Sequence, residues 1–155
     1  QRQMCIRDSG AGLTIRRFDP ADLPLLLAAD ALFDDPVRPD MAARFLAHPD
    51  HHLFGAVAGG RLIGFVSAVS YLHPDKPVDF WINEVGVAEA FHRRGIGRQL
   101  LLATLHHARS LGCGSAWVLT NSSNRAARGL YAACGGEATP AARHGNGVIM
   151  FSWRL

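Results

Sequence analysis

The segment Val85-Gly86-Val87-Ala88-Glu89-Ala90-Phe91-His92-Arg93-Arg94-Gly95-Ile96-Gly97-Arg98-Gln99-Leu100-Leu101 constrains the fold of this chain more than any other part of it. It reads as a short apolar strand, a turn crowded with arginine and glycine, and an abrupt entry into an amphipathic helix. Gly95 and Gly97 let the backbone turn tightly and bring bare N–H groups within reach of a ligand. The helix that begins there aims its positive dipole end at the same point, and Arg93, Arg94 and Arg98 add full charges. Such a corner suits a pyrophosphate. It is not a P-loop, because no Gly-Lys-Ser/Thr follows. Nor is it a dinucleotide fingerprint, which needs a third glycine and an early strand of a βαβ unit. An ordinary strand-to-helix connection with solvated arginines is the structural alternative.

A second block runs Asn121-Ser122-Ser123-Asn124-Arg125-Ala126-Ala127-Arg128-Gly129-Leu130-Tyr131-Ala132-Ala133-Cys134-Gly135-Gly136. Asn124 is a natural N-cap, and Ala127, Leu130, Tyr131 and Cys134 fall on one helical face. Gly135 or Gly136 supplies the left-handed residue after the helix. The order Arg-Arg-Gly-Ile-Gly before a Leu-rich helix resembles the coenzyme A pyrophosphate loop of the GNAT acetyltransferase superfamily. The Asn-initiated helix carrying Tyr131 resembles that superfamily's later motif. The resemblance covers roughly residues 13 to 155, with the specific motifs confined to 84–101 and 121–136.

Composition sets wider bounds. At 155 residues the chain is one domain, long enough to bury a core without disulfides. No apolar run approaches the roughly 20 residues of a membrane span. Cys5, Cys113 and Cys134 are scattered without paired spacing, which disfavours a disulfide framework or zinc site and fits a reducing cytoplasm. The adjacent pairs His51-His52 and His106-His107 point to different sides of their elements, so no metal is expected and they read as surface residues. Residues 1–90 hold eight Lys/Arg against twelve Asp/Glu (net −4), and 91–155 hold eight against one (net +7), together the overall +3. A cationic half matches a polyphosphate and an acidic half a positively charged acceptor. No basic stripe is interleaved with aromatics, which leaves nucleic-acid binding without support.

Residues 1–9 show no period and are expected to stand outside the fold as a non-native-looking or disordered extension, leaving 10–155 as a single domain. Leu13 to Phe18 alternates like a first strand. Asp19-Pro20 starts a helix with Asp19 as cap, carried on by the Leu-Ala run 23–32. A second helix runs from about Pro39 to Ala47. Two apolar runs, His52 to Ala58 and Arg61 to Tyr71, flank a Gly-Gly turn as a hairpin. Val78 to Val87 is a fourth strand, in which Gly86 suggests a bulge or a close approach. A helix over 96–111, a strand over 115–120, the Tyr131 helix and a strand over 148–153 complete the pass. That order is the one the resemblance implies: an α/β GNAT fold, with a central mixed, mostly antiparallel sheet flanked by helices on both faces.

The resemblance also implies a chemistry, acetyl transfer from acetyl-coenzyme A to an amine without a metal. Glu84 is then the general base, acting through a water, or it only orients a cationic substrate. Its ordinary pKa of about 4.3 keeps it ionised at neutral pH. Tyr131 is the proton donor to the departing thiolate, or else a core-facing aromatic. Backbone groups of Val85 and Val87 pair with the pantetheine arm. Arg93, Arg94, Gly95, Ile96, Gly97 and Arg98 cradle the pyrophosphate, and Asn124 adds a cofactor contact. His92 departs from the family's Gln or Arg three residues before the first loop glycine, which implies somewhat weaker cofactor binding.

Trp81-Ile82-Asn83-Glu84-Val85-Gly86-Val87, after the loop His73-Pro74-Asp75-Lys76-Pro77, is similar to type I aminoglycoside 3-N-acetyltransferases. That similarity implies a small cationic acceptor, an aminoglycoside acetylated on its 3-amino group and thereby inactivated as an antibiotic, held by Asp34, Asp35, Asp79 and Glu84. A peptide or protein N-terminus or a small polyamine is the alternative acceptor. A coenzyme A-responsive binding module without chemistry is a third reading, against which both Glu84 and Tyr131 speak. Dimers are usual among similar proteins, and the sequence leaves both a homodimer and a monomer open.

Overall fold

The computed structural model describes residues 6–7, 12–140 and 147–155. Chain order is β1 (Ile6–Arg7), β2 (Thr14–Arg17), α1 (Leu23–Leu27), α2 (Pro39–Ala47), β3 (His51–Ala58), β4 (Arg61–Tyr71), β5 (Asp79–Val87), α3 (Ile96–Ser110), β6 (Ser115–Asn121), α4 (Arg125–Ala133), β7 (Glu137–Pro140) and β8 (Val148–Arg154). The strands form one sheet in the order β1-β2-β3-β4-β5-β6-β8-β7. Among the described strands, only the β5–β6 pair runs parallel. No helix among the described residues is long and apolar enough to cross a membrane.

Alternation along the strands feeds two cores, one on each face of the sheet. On one face α3 and α4 pack through Leu100, Leu101, Leu105, Ala108 and Tyr131 against Ile15, Val66, Phe80, Ile82, Val118 and Phe151. On the other, α1 and α2 bring Leu26, Ala42 and Leu46 against Phe18, Leu53, Leu62 and Phe65. The local signals act as expected at several ends. Asp19 Oδ1 accepts from the Ala21 amide, and Asp22 closes the capping box while pairing with Arg16. Asn124 Oδ1 accepts from the Ala127 amide, and Gly135 has φ +82°.

In four places the structure departs from the sequence reading, adds to it, or chooses between its alternatives. Within the supposed extension, Ile6–Arg7 pairs with β2, opposite Ile15 and Thr14; residues 1–5, with Cys5, and 8–9 lie outside the described residues. A backbone ladder needs no side-chain period, so an edge pairing of this length leaves no trace in sequence. β7 was likewise not foreseen and exists through its register with β8. The bulge in β5 falls at Asn83, between the pairs Ser67–Glu84 and Ala68–Ile82, rather than at Gly86. Gly86 instead serves a close approach, since a Cβ there would lie 2.7 Å from Phe65 Cε1. Finally, His52 is 1% exposed, and its Nδ1 lies 3.2 Å from Nε2 of His107 across the β3–α3 contact. Two tautomer sets satisfy the chain: His107 Nε2–H donates to His52 Nδ1 while His52 Nε2–H donates to Ser70 Oγ at 3.0 Å, or Ser70 Oγ–H donates to His52 Nε2 while His52 Nδ1–H donates to His107 Nε2. Each adjacent pair does send its members to opposite sides, but buried His52 meets half-buried His107.

Candidate active site

Strand β5 divides the site. Its alternation sends Val85 and Val87 towards α3 and α4, while Asn83 and Glu84 face the α1–α2 side, both held there by the bulge. Past Trp81, which pairs with Trp117, β6 diverges from β5. The β6 side of β5 is therefore an open backbone edge from Ile82 onward among the described residues, with groups free to pair with an extended ligand.

On the Val85 side lies a cavity of about 430 Å³ bounded by the 92–98 turn, Asn124, Leu130 and Tyr131. Several contacts fix the turn. The Ala88 amide donates to Ile63 O at 2.8 Å, and His92 Nε2 donates to Val87 O at 2.7 Å. His92 thus braces the turn against the strand end, a role its place in the sequence did not suggest. Arg93 (φ +60°) and Gly95 (φ +74°) both adopt the left-handed conformation. For a non-glycine residue such as Arg93 that costs on the order of 1 kcal/mol. The amides of Arg93 through Arg98 donate to no group among the described residues. Gly97 lets α3 sit against α4, its missing Cβ 3.4 Å from Leu130 Cδ2. Arg93 and Arg98 line the cavity and are exposed, whereas Arg94, also exposed, is not among the lining residues and sets its guanidinium 5.3 Å from the Phe91 ring centroid.

This cavity fits the diphosphate of coenzyme A. Unpaired amides at a helix N-terminus with arginines at the rim form an anion cradle, and the open edge of β5 extends from it. Tyr131 lines the same cavity. Its ring packs 5.5 Å from Phe151 and edge-on at 6.2 Å to Trp153, and it is 5% exposed. Its hydroxyl bonds to nothing among the described residues. Burial raises its pKa, so across neutral pH the phenol carries a proton to donate.

On the Glu84 side a second cavity, of about 830 Å³, opens between the sheet and α2. Glu84, Asp34 and Asp35 line one part of it, and Leu26, Phe33, Val37, Phe45 and Leu53 wall much of the remainder. Burial first, and the charge of Asp34 second, push the Glu84 pKa above its ordinary value. A carboxylate so placed is a stronger proton acceptor than an exposed one.

Asp79 does not join this group. It sits at the opposite end of β5, accepting hydrogen bonds from Ser115 Oγ, from Tyr71 Oη at 3.4 Å and from His73 Nε2 at 3.2 Å. Burial would raise its pKa, but the Ser115, His73 and Tyr71 hydrogen bonds and the His73 charge outweigh it and hold the carboxyl low. Asp79 braces the knot that carries Trp117, whose Nε1 donates to Tyr71 Oη at 3.3 Å. Sequence reasoning also missed Ser67 and Asn83, which line the acceptor-side cavity. Ser67 had one weak signal, a hydroxyl inside an apolar strand, which it shares with Ser70.

Comparison with known proteins agrees with this geometry. N-alpha-acetyltransferase RimI of Mycobacterium tuberculosis is 37% identical over 102 residues, 66% of this chain and 62% of its own length. Mycothiol acetyltransferase of Thermomonospora curvata is 35% identical over 135 residues, 80% of this chain and 44% of that protein. The chain therefore spans less than two thirds of the length of either relative. Arabidopsis thaliana NAA60, solved in complex with acetyl-CoA, superposes with a TM-score of 0.73 at 18% identity, covering 93% of this chain and 100% of that one. The profile of the acetyltransferase (GNAT) family matches residues 22–135, and the chain belongs to that family.

Proposed function

We propose that this protein is an acetyl-CoA-dependent N-acetyltransferase whose acceptor is the α-amine of a peptide or protein chain. The observation that carries the reading is the acceptor-side cavity, which sets a carboxylate cluster against walls that are largely apolar. A terminal ammonium group suits Glu84 and Asp34, and the residues after it suit Phe33, Val37, Phe45 and Leu53. The likeness to a relative named as an N-alpha-acetyltransferase supports the same choice.

Acetyl-CoA supplies a thioester-activated acyl group. The chain's own residues do the rest. The amides of 93–98 and the rim arginines hold the diphosphate, the open edge of β5 orients the arm, and Asn124 borders the same cavity. Glu84 takes the proton from the ammonium, directly or through one water, leaving a neutral amine. Tyr131 holds its phenolic proton for the sulfur at the end of the turnover. The reading carries with it a reducing compartment, in keeping with the free thiols of Cys113 and Cys134.

An aminoglycoside acceptor, modified at its 3-amino group, is the second reading. Three carboxylates, Asp34, Asp35 and Glu84, line the cavity and favour a polycation. Against it stand the apolar walls, poor partners for a polyhydroxylated ring, and the absence of Asp79 from the lining. Thiol release from acetyl-CoA, followed side by side with an alanine-initiated hexapeptide, gentamicin and spermidine, separates the readings. We expect turnover of the hexapeptide at the highest kcat/KM. Turnover of gentamicin alone would replace the peptide reading with the antibiotic one.

A further inference from the structure

The acceptor-side cavity carries charge of both signs, and the two signs come from different elements. Glu84 of β5 and Asp34 and Asp35 of the segment before α2 supply the carboxylates, while α2 turns Arg38, Met41, Arg44, Phe45 and His48 to the same cavity. Positions 38, 41, 45 and 48 recur at helical spacing and so share one flank of α2. The core takes the other flank, through Ala42 and Leu46. Arg38, Met41, Arg44 and His48 are all exposed, with Met41 46% open to solvent. An arriving chain therefore reaches them without displacing a packed side chain.

The two arginines differ in their partners. Arg38 Nη2 pairs with Asp40 Oδ2 at 3.4 Å, which offsets its charge. Arg44 pairs with no carboxylate among the described residues. Its Nη1 lies back along the flank, 3.9 Å from Met41 Sδ, a weak acceptor. Strand register gives its separation from Glu84. Phe45, the next residue, sets its ring 5.0 Å from that of His51. Glu84 pairs with Ser67 and Ser67 with Leu53, so two interstrand steps and two residues along β3 put His51 about 12 Å from Glu84. At about 3.4 Å per residue, an extended chain whose amine meets Glu84 brings its third to fifth residue level with Arg44.

We propose that Arg44 selects acceptors that carry a carboxylate three to five residues along from the reacting amine, as an acidic side chain or as the C-terminus of a short peptide. The selection rests on the acceptor being a peptide amine. Glu84 and Asp34 attract the ammonium and repel a carboxylate placed next to it, whereas Arg44 attracts that carboxylate farther along, so the cavity sets the direction of the chain as well as its spacing.

The test uses alanine hexapeptide amides in which one residue, at each position from the second to the sixth, is Glu, Gln or Lys, with acetyl-CoA at saturation. In the wild type the Glu-to-Gln ratio of kcat/KM rises to about fivefold within positions three to five, the effect of a well-placed exposed ion pair, and shrinks towards one in about 1 M NaCl. Where the free acid of tetra-alanine also outpaces its amide, a chain terminus serves as the carboxylate; where only the Glu series rises, the side chain is its source. In Arg44→Gln the ratio falls to near one, in Arg44→Lys part of it is kept, and in Arg44→Glu the preference passes to Lys at the same position. Because the readout is a ratio, a reduced fraction of active protein does not disturb it. An Arg44 that served only the dipole at the end of α2 would change Tm and leave the ratio unmoved. A flat Glu-to-Gln series in the wild type, or a ratio that survives in Arg44→Gln, overturns the selection while leaving the peptide reading intact. Failure of every peptide overturns both.

Discussion

Gly86→Ala should damage this protein through one contact in the core beneath Glu84. The added Cβ would stand 2.7 Å from Phe65 Cε1, 3.3 Å from Phe65 Cδ1 and 3.3 Å from the Leu32 carbonyl oxygen. Ordinary contact begins near 3.4 Å, so ring or strand must give way by at least about 0.7 Å. The ring has little room, being 1% exposed and stacked on Phe33 at 4.3 Å. Overpacking of this kind costs about 1–3 kcal/mol, offset by about 0.4–1 kcal/mol from the stiffer unfolded chain. A net loss of about 1–2 kcal/mol lowers Tm by roughly 2–8 °C in a domain of this size. Gly129→Ala is the internal control. Gly129 lies within α4, a Cβ there would meet nothing within 4 Å, and its φ is not positive. The same substitution there removes a helix-interior glycine and stabilises by about 0.5–1 kcal/mol. Scanning calorimetry should show the two variants moving Tm in opposite directions. A Gly86→Ala protein with wild-type Tm would show that the β4–β5 contact is looser than its geometry states.

The two chemical side chains should fail in different ways. Glu84→Gln should lose acetyl transfer while calorimetric coenzyme A affinity stays near wild type, and Tyr131→Phe should slow thiol release. Wild-type turnover across a pH series in Glu84→Gln removes the base role, and wild-type kinetics in Tyr131→Phe return that ring to a purely packing role. Acid should unfold the protein through the buried histidines. Burial first, then the charge of His107 and of Arg17, lowers the His52 pKa from 6.5 to about 3; burial first, then the charges of Arg17 and His106, lowers that of His107 to about 4. Both are neutral when folded and charge more readily when unfolded. The stability they contribute is whole above pH 6.5 and lost as pH falls towards 4 and then 3. Urea titrations across that window should show falling stability with proton uptake on unfolding. In His52→Gln the slope should flatten, and a slope equal to wild type would mean that other groups control acid unfolding.

Much of the architecture was legible because its signals are local. Asp19, Asn124 and Gly135 act at their own helix ends, through bonds and dihedrals that span a few residues. The 93–98 corner was readable in part for the same reason, since left-handed Gly95 directly precedes the start of α3; that the second left-handed residue is Arg93 rather than Gly97 was not readable. The period of the apolar residues assigned α3, whose Leu101, Leu105 and Ala108 are buried. Charge partition between the chain's halves foreshadowed a basic rim on one cavity and carboxylates in the other.

What escaped depends on partners far away in the chain. His52 and His107 are 55 positions apart, and no periodicity shows that their rings touch. Asp79 shared the acidic character of Glu84 but lies five residues along the strand, about 17 Å when extended, among Ser115, Tyr71 and His73 instead. The bulge at Asn83 is a mismatch between two strands and belongs to neither alone. Local rules act through bonds within a turn of backbone, so the amino-acid order suffices for them. Register, burial and cavity shape arise only when distant segments come together in one fold, and it was that meeting which set Glu84 of β5 in one cavity with Asp34 and Asp35.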